Sequence, residues 1–127
     1  MLGQNPPIIC LQQIAALCVQ IGGIGRMSFE IMIGLDVTSD DEYQRYRDGM
    51  VPILESFGGS FGFDFKIAKV LKSKTEDSIN RVFTIDFPSK EVMDNFFSDP
   101  SYLEVKRNYF DSSVMSVTTI SMHEKDT

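Results

Sequence analysis

Four side chains in this chain have the chemistry to move a proton and sit where a strand would hold them: Glu30, Asp64 and Asp86, with His123 near the C-terminus. Together with Asp36, the three carboxylates share strand faces with small or polar neighbours, while larger residues alternate to the other side. A carboxylate on such a face, once enclosed, loses hydration, rises in pKa and can serve as acid or base near neutral pH. Each has a plainer reading as well. Asp86 directly precedes Phe87-Pro88 and can hydrogen-bond the turn, Glu30 can pair with Lys66 or Arg81 across a sheet, and His123 can be a partly exposed strand-end residue. It is the only histidine, so no Cys-His or multi-His set can form within one copy, and neither a metal nor another cofactor is expected.

Met32 and Thr84 fall on the same mixed face and are the candidate ligand contacts, joined by Tyr102. Tyr102 follows the Asp99-Pro100 break, where a helix start would offer free N–H groups to a small anion. Tyr43, Tyr46, Tyr102 and Tyr109 otherwise read as core tyrosines with hydroxyls at the rim. No phosphate-binding glycine loop or nucleophile elbow is present.

These residues need elements to position them. Residues 28–37 alternate Phe29, Ile31, Ile33, Leu35 and Val37 against Glu30, Met32, Gly34 and Asp36, the period-two pattern of a strand. Ser39-Asp40-Asp41-Glu42 is a capping box that starts a helix. Tyr43, Tyr46, Met50, Ile53, Leu54 and Phe57 give that helix one apolar face, Pro52 predicts a kink or a restart, and Gly58-Gly59 a left-handed stop. A second strand is expected from about residue 60 to 71, a polar hairpin over 72–78, and a third strand over 81–87. Ser89 caps a short helix, the Asp99 N-cap with Pro100 restarts it, and residues 114–123 alternate as a fourth strand.

The order strand, helix, strand, strand, helix, strand is the α+β, ferredoxin-like βαββαβ pattern with a four-stranded antiparallel sheet. Two helices cover one sheet face, yet the strands are apolar on both. The uncovered face calls for another layer, which a second copy supplies by a symmetric contact, so a homodimer is expected.

Asp36-Val37-Thr38-Ser39-Asp40-Asp41-Glu42-Tyr43-Gln44-Arg45-Tyr46-Arg47 and Val51-Pro52-Ile53-Leu54-Glu55-Ser56-Phe57-Gly58-Gly59 resemble the first half of domain of unknown function 1330. Asp86-Phe87-Pro88-Ser89, with Ser98-Asp99-Pro100-Ser101-Tyr102 and Val105-Lys106, is similar to the second half of that family. The resemblance spans roughly residues 28–123. It implies the dimeric alpha-beta barrel superfamily, in which two ferredoxin-like subunits enclose a cavity between their sheets. Relatives there include monooxygenases, haem-degrading enzymes and muconolactone isomerases, but the resemblance carries no settled activity.

Composition narrows the function classes. A net charge of −6 repels phosphate backbones, and no basic stripe offsets it, so nucleic acid is set aside. The densest positive run, Lys66, Lys69, Lys72 and Lys74, reads as a solvated face. Residues 1–26 carry no charge before Arg26 and lack the basic start of a signal and the length of a membrane span. They form either one amphipathic helix or an extension ahead of a natural start at Met27, with the ferredoxin-like domain over 27–127. Cys10 and Cys18 would lie about 12 Å apart on such a helix, too far to bridge, which fits a reduced, cytoplasmic setting.

The expected function is the binding of a small, mostly apolar or aromatic molecule in the cavity between paired sheets, extending to cofactor-independent catalysis by a strand carboxylate. The alternative is a non-catalytic dimerisation module, its space plugged by some of the 7 Met and 10 Phe side chains.

Overall fold

The computed structural model describes residues 27–126, so the expected N-terminal helix or extension, with Cys10 and Cys18, lies outside the described residues. The elements run β1 (Met27–Val37), α1 (Asp40–Ser56), β2 (Ser60–Lys66), β3 (Arg81–Phe87), α2 (Lys90–Phe97), α3 (Pro100–Val105), a π-helical turn (Lys106–Phe110) and β4 (Val114–Asp126). The sheet order is β2-β3-β1-β4, antiparallel throughout, as expected for the ferredoxin-like pattern.

Local chemistry explains the boundaries. Ser39 Oγ accepts from Glu42 N at 3.3 Å, Ser89 Oγ from Val92 N at 3.1 Å and Asp99 Oδ2 from Tyr102 N at 3.0 Å, so each helix begins with a filled cap. Gly58 takes φ +81°, the left-handed stop after α1. Pro52 lies inside α1, which runs through it without a restart. The π turn was not expected: Asp111 N donates to Lys106 O at 3.0 Å, and the buried Ser113 Oγ donates to Tyr109 O at 2.7 Å to close the segment. The turn carries Lys106 at its start and Phe110 at its end.

The two sheet faces differ. Phe29, Ile31, Leu35, Phe83, Ile85 and Phe87 are buried under α1, α2 and α3 against Tyr46, Met50, Leu54, Met93, Phe96 and Tyr102. The opposite face carries Glu30, Met32, Gly34 and Asp36 beside Asp86, Thr84 and Val82, and no helix among the described residues covers it.

Bulges break the simple alternation in both edge strands. In β2, Phe61 pairs with Ile85 but Asp64 with Phe83, so Gly62 and Phe63 together oppose Thr84. The Phe63 N–H turns to Thr84 Oγ1 at 2.8 Å, and a Cβ on Gly62 would meet the same oxygen at 2.5 Å. The extra residue inverts the faces beyond it, sending Asp64 to the helix side and Phe65 to the open side. In β4, Ile120 and Met115 are unpaired at two register shifts, which puts Val117, Thr119 and Met122 on the helix side with Ile33 and Ile31. β2 also ends at Lys66, short of the expected residue 71, because Asn80 takes over the pairing: Ile67 N donates to Asn80 O and Asn80 N to Leu35 O, each at 2.8 Å.

Gly62→Ala is expected to destabilise the protein by about 1–3 kcal/mol, since the added methyl overpacks against Thr84 and the bulge it pins. Urea denaturation measures this, and an unchanged midpoint would show that the bulge does not need the missing side chain.

Candidate functional site

A cavity of about 270 Å³ lies between the helices and the sheet of one chain, not on the open face where two paired sheets would enclose one. Its floor is Ile31, Ile33, Leu35, Phe83 and Ile85, and its roof is Met50, Met93, Phe97 and Phe110. The mouth lies along β4, where Val117 and Met122 line the space while about half exposed. The volume is just under the usual range for small-molecule sites, about 300–1,000 Å³.

Polar groups enter at two places. At one end, Arg47 projects from the buried face of α1, its guanidinium 4.1 Å from the Phe61 ring centroid and its Nε donating to Tyr43 Oη at 2.9 Å. It donates from Nη1 and Nη2 to Asp64 at 3.0 and 3.2 Å, and Arg81 grips the same carboxylate from Nε and Nη2 at 2.9 and 3.0 Å. Burial works to raise the Asp64 pKa, but the hydrogen bonds and charges of Arg81 and Arg47 outweigh it and hold the carboxyl below its usual range. Two cations on one anion leave this end net positive.

Deeper in, Tyr46 and Tyr102 meet hydroxyl to hydroxyl at 2.9 Å, both buried. Desolvation raises both, Tyr46 well above its ordinary value and Tyr102 to about 12, so both are neutral donors at physiological pH. Lys106 reaches the lining from the π turn while paired to Asp111 at 2.9 Å. Among the described residues no carboxylate and no histidine lines the space.

The expected site residues separate into three groups. Tyr102 lines this cavity, although the N–H that an anion was expected to use is taken by Asp99. Asp64 stands behind Arg47, bound by both arginines. Glu30, Asp86, His123, Met32 and Thr84 lie on the open face. There Glu30 contacts His123 Nε2 and Lys125 Nζ, both at 3.1 Å, rather than Lys66 or Arg81. Lys125 also forms an ion pair with Asp86, its Nζ 3.0 Å from Oδ1. Asp86 and Glu30 hold the Lys125 ammonium above its ordinary pKa. Asp36 accepts from Asn80 at 3.4 Å. Among the described residues no group of three or more potential ligands could hold a metal, and no helix is long and apolar enough to cross a membrane.

Periodicity passed over Arg47, Arg81 and Lys106. The signal for Arg47 was present: it lies four residues after Tyr43 and three before Met50, a charged residue on the apolar stripe of α1.

The model of Domain of unknown function (DUF1330) matches residues 31–122, and the chain belongs to that family. Among solved structures, a protein of unknown function from Rhodopseudomonas palustris is similar at 15% identity and TM-score 0.61, over 80% of this chain and 83% of that one. A dabb family protein with a ferredoxin-like fold from Mesorhizobium loti is similar at 12% identity and TM-score 0.53, over 78% and 95%. A dimeric ferredoxin-like protein of unknown function from Thermobifida fusca is similar at 6% identity and TM-score 0.50, over 81% and 93%. Likeness at these identities establishes the ferredoxin-like fold. No curated protein matches the chain significantly.

Asp64→Asn is expected to cost about 1–3 kcal/mol, below the roughly 3–5 of a fully buried pair because the Asp64 side chain is 33% exposed. The sign with pH follows from a depressed folded pKa: the contribution is complete above the unfolded value of about 3.9 and disappears as pH falls through the folded one. Denaturation of both proteins between pH 7 and pH 2.5 should show the gap constant down to about pH 4 and closing below. A gap that widens in acid would contradict the ion-pair assignment.

Proposed function

We propose that the protein binds a small, mostly apolar molecule in the cavity between its helices and its sheet, and that it works as a homodimer joined through the open sheet face in a reduced, cytoplasmic setting. The observation that carries the binding reading is the lining: nearly continuous aliphatic and aromatic surface with a few converging donors and a mouth at the sheet edge.

The dimer is supported by what the open face displays. Phe63 and Phe65 stack at 5.8 Å while 62% and 51% exposed, beside half-buried Met32 and Val82. The dimeric relative from Thermobifida fusca favours the same assembly. In such a dimer Glu30, Asp86 and His123 face the space between sheets, and cofactor-free acid–base chemistry would belong to them. The stacked phenylalanines favour a second reading, a non-catalytic dimerisation module whose intersheet space is filled.

One-ring compounds at ten times their Kd should add about 1.4 kcal/mol to stability, a rise in Tm of roughly 4–7 °C, and Val117→Trp at the mouth should remove it. An equal rise in the variant would place the ligand elsewhere. Light scattering at micromolar concentration should return twice the chain mass, and Phe65→Glu should return the chain mass; a monomeric native protein would overturn the assembly.

A further inference from the structure

The Tyr46–Tyr102 pair has a proton to spare. Two hydroxyls carry two hydrogens, and their mutual bond at 2.9 Å uses one. Among the described residues no other hydrogen bond involves either hydroxyl, although both tyrosines are more than nine-tenths buried and both line the cavity. A buried O–H left without an acceptor costs more than most single interactions return, so such groups are ordinarily paired. The remaining polar lining points the same way. Arg47 has five N–H groups, of which three are spent on Tyr43 and Asp64, and Lys106 has donors only.

Resting on the reading of this cavity as the binding site, we infer that its ligand is a single-ring or similarly sized apolar molecule bearing a carbonyl or enolate oxygen, which accepts the free hydrogen of the Tyr46–Tyr102 pair. The size fits: an apolar cavity of about 150 Å³ takes one benzene ring, which leaves room here for an oxygen-bearing substituent. The charge fits too. With Arg47 and Arg81 both paired to the single carboxylate of Asp64, the near field favours the negative end of a carbonyl dipole, and no carboxylate among the described residues lines the space to repel it. Apolar contact with Met50, Phe83 and Met122 would hold the ring while the hydroxyl pair sets its orientation.

The test uses two probes of one shape, acetophenone and α-methylstyrene, which differ in whether a carbonyl oxygen or a methylene occupies the same place. Amide chemical-shift titration of the full chain is expected to show acetophenone binding about five- to tenfold more tightly, the scale of one net hydrogen bond. The double variant Tyr46→Phe, Tyr102→Phe, which keeps both rings, should bring the ratio close to one. Equal affinity for the two probes in the native chain would overturn the acceptor-oxygen inference and leave the apolar cavity intact. A preference that survives the double variant would overturn its assignment to the tyrosines. Failure of both probes to bind, with Val117→Trp indistinguishable from the native chain, would overturn the cavity reading itself and the inference with it.

Discussion

Asp64 is shared by two arginines from different elements, and most of the helix-side architecture depends on that arrangement. Arg47 belongs to α1 and Arg81 to β3, while Asp64 belongs to β2, so one carboxylate ties a helix to two strands. The arginine from the helix is 10% exposed, and without its partner it would be a cation lodged among Phe61, Phe83 and Tyr43. Bidentate geometry from both sides fixes the planes as well as the distances, which closes one end of the cavity with a rigid polar wall. Asp64 reaches this place only because the bulge at Gly62 and Phe63 inverts β2. The bulge depends in turn on a glycine small enough to pass Thr84 and a threonine able to accept the stray N–H.

That inversion also divides the work of the two sheet faces. The helix side is apolar with donors at its edges, suited to enclosing a molecule with one electron-rich end. The open side carries a polar set, in which Lys125 is ion-paired to Glu30 and Asp86 and His123 contacts Glu30, next to stacked phenylalanines. Mixed polar and aromatic surface of this kind is ordinary at the junction of two protein copies, where charge pairs set register and aromatic rings supply contact area. The proposed binding cavity and the proposed seam between copies therefore lie on opposite faces of the sheet and do not compete for residues.

Much of the fold was legible in the residues. Caps at Ser39, Ser89 and Asp99, the stop at Gly58 and the alternation of β1 and β3 are local signals, each set by a few neighbouring side chains, and all of them hold in the structure. The site was much less legible, for one recurring reason. Strict alternation assigns Asp64 to the face of Glu30 and Asp86, and Val117 to the face opposite Met122, but single-residue bulges in β2 and β4 reverse both assignments. Bulges arise from long-range pairing, so nothing in the local pattern announces them. Arg47 is a different kind of miss, since its helical position was readable and only its charge argued against burial. The π turn, which brings Lys106 and Phe110 to the cavity, likewise has no cap or glycine to mark it.

The central claim is that the binding space lies inside one subunit, between sheet and helices, and ends at the arginine-bound Asp64. A crystal structure determined under xenon pressure measures this most directly, because xenon enters dry apolar cavities whatever their natural ligand. The expected result is density between Met50, Phe83 and Met122, within the space bounded by Arg47. Density confined to the region between two paired sheets, beside Met32 and Thr84, would contradict it.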